Sequence, residues 1–216
     1  MDDRAGRASA KGRKLPDAAR FLRSWAERPL QIGAVQPSGR ALARTMASYV
    51  DPALSGPVIE IGPGTGPVTA ALLRRGVAPE RLVLLEFSPE FCALLRKRHP
   101  AAQVIEGDAY QIAKTLAPLG LAPAAAVVSS LPLLTRPVAA RLDLLRQCFA
   151  LMAQSAPFVQ FTYATMAPIP RQGQDYAVTP SRRIWLNVPP ARVWVYRRLA
   201  NPGVANPGVP NPGVAK

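Results

Sequence analysis

Three carboxylates, each at the end of a short apolar run, mark where this sequence could do chemistry. Val58-Ile59-Glu60-Ile61 runs into Gly62-Pro63-Gly64-Thr65-Gly66. Leu82-Val83-Leu84-Leu85 ends in Glu86 and Phe87, and Val104-Ile105-Glu106-Gly107 leads to Asp108 and Ala109. Short apolar, β-branched runs of this kind predict buried strands. Glycines at alternate positions allow a sharp turn and let a ligand approach the backbone. Thr69-Ala70-Ala71-Leu72-Leu73-Arg74-Arg75 follows with helical spacing, so the unit reads strand, glycine turn, helix. Such a helix start offers free N–H groups and the positive end of the helix dipole. The spacing G-x-G-x-G is neither the dinucleotide fingerprint nor a P-loop, and no lysine follows it. Glu60 would sit badly beside a pyrophosphate and suits a ligand with a cationic amino group. Glu86, about twenty residues beyond the glycines, is placed to accept from the two hydroxyls of a ribose.

Glycine turn, second-strand acid and third-strand acid together resemble the class I S-adenosylmethionine-dependent methyltransferases. The resemblance spans roughly residues 58 to 163. It implies an α/β, Rossmann-like fold: a seven-stranded, mostly parallel sheet, helices on both faces and an antiparallel terminal strand. It also implies S-adenosylmethionine as cofactor. The glycine motif would cradle the methionine part, Glu86 the ribose, and Asp108 the adenine amine. Glu60, Gly62, Gly64, Gly66, Glu86, Phe87, Asp108, Ala109 and Ser129 are the cofactor residues on this reading. Glycines that serve only a tight turn, or a NAD-type fold with a degenerate fingerprint, are the alternatives.

The elements that would position these residues follow from the chain order. With 49% hydrophobic residues, the 216-residue chain holds enough apolar material for one α/β core with appendages. Residues 1–16 are small and basic and predict a flexible end. Residues 17–50 predict two helices. The first can be capped by Asp17, with Phe21, Leu22 and Trp25 on one face and Arg20, Arg23 and Arg28 around it. Such a helix fits a membrane interface or a lid packed onto the domain. Residues 51–199 form the catalytic domain. Residues 200–216 repeat Asn-Pro-Gly-Val three times, a composition that opposes a core. The net charge of +14 and the pI near 11 attract polyanions, either nucleic acid or an anionic membrane. Cys92 and Cys148 lack metal spacing and read as reduced core residues. No apolar run reaches the roughly eighteen residues of a spanning helix, and a cytoplasmic location is expected.

A finer resemblance lies in Gly33-Ala34-Val35-Gln36-Pro37-Ser38, the Ala/Leu/Arg helix after it, and Glu60-Ile61-Gly62-Pro63-Gly64-Thr65-Gly66-Pro67-Val68-Thr69. Together they look like the bacterial phospholipid N-methyltransferases, which methylate the amine of phosphatidylethanolamine towards phosphatidylcholine. The layout is also similar to the ribosomal RNA adenine dimethyltransferases. The fourth strand separates the two. Adenine-N6 enzymes carry an Asn or Asp and an aromatic there, to grip and stack a flipped base. This chain has Ser129-Ser130-Leu131-Pro132. Phospholipid and an anionic membrane surface, at the cytoplasmic face of the inner membrane, are therefore the expected partners, with nucleic acid the weaker alternative and no stable protein partner. Ser130, Tyr163 and Tyr176 are the expected catalytic residues. A tyrosine, a serine-bound water or the lipid phosphate would relay the proton. Arg171, Arg182 and Arg183, with Phe21 and Trp25, would meet lipid. His99 ends a helix and reads as a surface residue, far from the strand tips. Residues 164–183 are expected as an irregular lid, and Ile184–Val188 with Arg192–Arg198 as a terminal hairpin.

Overall fold

A computed structural model of the chain describes residues 37–171 and 175–199. The expected lipid-facing Phe21 and Trp25, the segment 31–36 and the tail from 200 lie outside the described residues.

Seven strands form one sheet: β1 (Val58–Ile61), β2 (Leu82–Glu86), β3 (Gln103–Glu106), β4 (Ala126–Ser129), β5 (Phe158–Thr162), β6 (Tyr176–Pro180) and β7 (Arg192–Arg198). Their order is β3-β2-β1-β4-β5-β7-β6. The chain starts at the centre, steps outward to β3, then returns to place β4 on the other side of β1. That reversal opens a crevice at the carboxyl ends of β1 and β4, where open α/β sheets bind ligands. β1 to β5 run parallel, and β7 is antiparallel to both β5 and β6.

Each central strand is buried on both faces, which explains why the runs look uniformly apolar. Helices α1 (Pro37–Ala47), α2 (Pro67–Arg75) and α3 (Pro89–Arg98) cover one face. Met46, Leu72, Cys92 and Leu95 pack there with Val58, Leu84 and Val128. Helices α4 (Ile112–Leu116) and α5 (Val138–Leu151) cover the other, where Ile112, Leu145 and Cys148 meet Ile59, Val127 and Phe158. Both cysteines are buried free thiols, as their helical settings predicted. Local chemistry sets the starts of the helices. α3 begins with Pro89 after Ser88, whose hydroxyl accepts from the Phe91 N–H at 3.4 Å.

The end of the sheet differs from expectation. The partner of β7 is not 184–188 but β6, within the expected lid. In Tyr176-Ala177-Val178-Thr179, Tyr176 and Val178 belong to the α5-side core. In 184–188 the one β-bridge among the described residues joins Ile184 to Ala191. Tyr176 is therefore no lid residue. Its ring packs between Phe149 and Tyr196, and its hydroxyl donates to the Pro170 carbonyl at 2.6 Å.

Candidate active site

The glycine turn, residues 62–66, leaves β1 at its carboxyl end. Gly62, Gly64 and Gly66 have φ of +69°, +56° and +83°. Gly62 must lack a side chain for a second reason: a Cβ there would lie 2.9 Å from Leu131 Cδ2, in the chain leaving β4. Gly64 faces open space among the described residues, none of which comes within 4 Å of a Cβ position. The turn thus has one packed side and one open side.

Glu86 ties this turn to β2. Its Oε2 accepts from the Gly64 N–H at 2.9 Å, and its Oε1 from the Phe87 and Ser88 N–H groups, both at 2.9 Å. Three backbone donors hold the carboxylate, and no salt bridge among the described residues reaches it. Glu60 lies wholly inside on the same sheet face. Thr69, on the first turn of α2, donates its hydroxyl to Glu60 Oε2 at 2.7 Å, while Oε1 has no hydrogen-bond partner among the described residues. Burial pushes the Glu60 carboxyl up to about 8, partly countered by the Thr69 bonds. Asp108 starts the turn after β3, where its Oδ1 accepts from the Tyr110 N–H at 2.9 Å. Ala109 is buried beside it, and Phe87 is exposed at the tip of β2.

His99 departs from expectation. It is half-buried at the end of α3, with Nε2 only 3.4 Å from where a Cβ on Gly66 would stand. Desolvation, aided by Arg98, lowers its proton affinity, so it packs as a neutral ring against the glycine turn.

On the β4 side, Ser129 is fully buried and its hydroxyl takes the Leu131 N–H at 3.4 Å. It shapes the turn. Ser130, partly exposed, bonds through its N–H to Ile61 O at 3.0 Å. Gln160, opposite Ser129 on β5, donates to the carbonyls of Leu131 (3.0 Å) and Phe161 (2.8 Å), leaving a buried Oε1 with no hydrogen-bond partner among the described residues. Tyr163 follows the end of β5. Its ring packs edge-on against Phe161, and the Asn187 side chain lies near its hydroxyl. Burial raises its proton affinity above that of an ordinary phenol. Arg183 donates to the Tyr163 carbonyl at 3.3 Å, Arg182 is exposed beyond it, and Arg171 is exposed elsewhere on the connection. Thr69, Gln160 and Asn187 went unnoticed in the sequence. Only Thr69 carried a local signal, a polar residue on the inward face of an otherwise apolar helix start.

Residues 42–118 match the family described as ribosomal RNA adenine dimethylase. An ornithine lipid N-methyltransferase of Singulisphaera acidiphila is 32% identical over 151 residues, covering 68% of this chain and 79% of that protein. The chain belongs to the class I S-adenosylmethionine-dependent methyltransferases. A ribosomal RNA small subunit methyltransferase A of Synechococcus is 46% identical over 54 residues, 24% of this chain and 18% of that protein. Among solved structures, TrmN of Thermus thermophilus superposes with a TM-score of 0.59 at 16% identity, over 74% of this chain and about half (49%) of that one.

The cofactor of this methyltransferase is S-adenosylmethionine, and the cradle fits it. The open side of Gly64 leaves room for close approach, and the unpartnered Oε1 of Glu60 is an acceptor without a donor. Glu60 and the glycines would hold the methionine part, Glu86 the ribose and Asp108 the adenine. When bound, the cofactor supplies an activated methyl group. A positive ligand charge near Glu60 favours its ionised form. Cofactor binding should therefore release a proton between about pH 5 and pH 8. Calorimetry at pH 7 in buffers of differing ionisation enthalpy measures it, and the release should vanish in Glu60→Gln. The sign for the cofactor-free fold is opposite. The folded carboxyl keeps its proton up to about 8 and the unfolded one loses it near 4.5, so this group's contribution to stability falls as pH rises through that window.

Proposed function

We propose that this methyltransferase is a phospholipid N-methyltransferase, acting on the amine of phosphatidylethanolamine and its methylated intermediates. It would work peripherally, on an anionic membrane at the cytoplasmic face. The observation that carries this reading is the substrate end of β4. Ser129 is spent on the turn, the N–H groups of Ser130 and Leu131 are bonded to Ile61 O and Ser129 Oγ, and the run Ser129-Ser130-Leu131-Pro132 itself carries neither an amide nor an aromatic to grip a base. The match to the RNA dimethylases supports little about substrate, because residues 42–118 end before β4 begins. The match to the lipid-modifying relative is too long, at 151 residues, to avoid β4.

An amine must be neutral to attack a methyl carbon, so a lipid ammonium has to lose a proton first. Of the two expected tyrosines, Tyr176 is committed to the Pro170 carbonyl and Tyr163 follows the carboxyl end of β5. Its raised proton affinity keeps it a phenol at neutral pH, so it would pass a proton on, taking one as it gives one. Its ring would also face the methylated cation, a contact of about 0.5–2 kcal/mol. Tyr163→Phe keeps the ring and removes the hydroxyl. We expect kcat to fall by roughly tenfold or more, within the range of proton-transfer catalysis, with cofactor affinity unchanged. Full activity of the Phe variant would exclude the phenolic relay.

A second reading, methylation of RNA adenine, is favoured by the family match over 42–118 and by the net charge of +14. One experiment separates them. The protein is incubated with methyl-labelled S-adenosylmethionine and either phosphatidylethanolamine micelles or RNA. Label in lipid is the expected result, and label only in RNA overturns the proposal.

A further inference from the structure

β6 runs parallel to β5, because both are antiparallel to β7. The connection leaving β6, residues 181–191, therefore emerges on the same sheet edge as the glycine turn, Ser130 and Tyr163. Exposed apolar side chains gather on that edge. Phe87, Met166, Trp185, Leu186 and Val188 are 66–77% exposed, and each follows the carboxyl end of β2, β5 or β6. Leu54 and Leu199, at the opposite edge, are 49% and 42% exposed. Three of the five lie within four residues of one another in the β6–β7 connection.

Contiguous exposure of Trp, Leu and Val marks a contact surface. The connection that presents them is well braced. Ile184 N–H bonds the Ala191 carbonyl at 2.8 Å, and Ser181 Oγ accepts from the Val193 N–H at 3.0 Å. Between the exposed Leu186 and Val188, Asn187 is buried and donates to the Pro189 carbonyl at 2.7 Å. Side chains displayed by a braced loop lose little freedom on binding. Arg182 is exposed at its root, and the Arg183 guanidinium lies 5.7 Å from the centre of the Trp185 ring.

We infer that residues 181–191 form an insertion loop for an anionic lipid surface, with Trp185, Leu186 and Val188 entering the interface and Arg182 and Arg183 meeting the head groups. The inference rests on the lipid reading above and names the surface that reading leaves open. Apolar insertion and cationic contacts reinforce each other at such an interface. A second copy of the chain is the poorer occupant, since it would bring the same arginines against each other. The loop also touches the site: the Arg183 guanidinium donates to the Tyr163 carbonyl at 3.3 Å. Seating the loop on lipid would place Tyr163 at the membrane surface, where the amine is.

The test uses the full chain and its triple variant Trp185→Ser, Leu186→Ser, Val188→Ser. All three side chains are exposed, so the fold should be unaffected, and calorimetric S-adenosylmethionine affinity checks this. Sedimentation with phosphatidylethanolamine–phosphatidylglycerol vesicles should weaken by about tenfold or more in the variant. Binding to phosphatidylcholine vesicles should be weak for both proteins. Equal partitioning of both proteins into the anionic vesicles overturns the inference. So does unchanged vesicle binding with a loss of self-association on gel filtration, which would assign the patch to a second copy. Partitioning needs no catalysis, whereas the micelle labelling assay needs no bilayer. Failure of the loop and failure of the lipid-substrate reading are thus told apart.

Discussion

Glu86→Ala should weaken S-adenosylmethionine binding by roughly ten- to a hundredfold, because hydrogen bonds to a charged group contribute about 1.5–3 kcal/mol. The ribose hydroxyls would lose the charged acceptor that Glu86 is expected to supply. The damage extends into the protein itself. The N–H groups of Gly64, Phe87 and Ser88 all end on this carboxylate, so its removal strands three backbone donors at the cradle. A lower melting temperature should accompany the lost affinity. Glu86→Gln separates the two effects. Its amide oxygen can still accept from part of the set but carries no charge, so stability should recover more than binding does. Calorimetric titration of both variants reads the affinity, and thermal unfolding reads the stability. An alanine variant with normal affinity would remove Glu86 from the cofactor site.

Gly64→Ala should leave a folded protein that binds S-adenosylmethionine poorly. The backbone at Gly64 has φ +56°, where an L-residue costs about 1–2 kcal/mol. The added methyl meets no described residue within 4 Å, so the fold should survive that cost. The space it enters is the open side of the cradle. If the cofactor uses that space, a clash of about 1.4 kcal/mol already means a tenfold loss, and a worse clash means more. Gly62→Ala should behave differently. Its Cβ would press on Leu131 Cδ2, and so disturb the chain leaving β4, on the acceptor side. Normal cofactor affinity in Gly64→Ala would mean that the ligand keeps away from that side of the turn.

The cofactor half was legible because its signals are local. An apolar run, an acid and alternate glycines fall within nine residues, and the strand, the turn and the helix start can each be read from neighbours in sequence. The way Glu86 serves the turn was not legible, since Gly64 lies twenty-two positions away and the bond depends on β1 and β2 lying side by side. The grip of Gln160 on the Leu131 carbonyl, across twenty-nine positions, has the same cause.

By itself the sequence determined the first five strands, the glycine turn, the three acids and the lack of an amide or aromatic in the run 129–132. These rest on residue type and short spacing. Tertiary structure alone decided which apolar segment became the last strand. Tyr176–Pro180 and 184–188 both show strand-like composition, and both flank the same turn-rich stretch. Only pairing separates them: Tyr176 finds Phe149 and Tyr196 to pack against, whereas Trp185, Leu186 and Val188 find no core and stay exposed. An apolar residue states a tendency to be buried. What buries it depends on partners brought from elsewhere in the chain, and here that choice turned an expected lid tyrosine into core and an expected strand into an exposed loop.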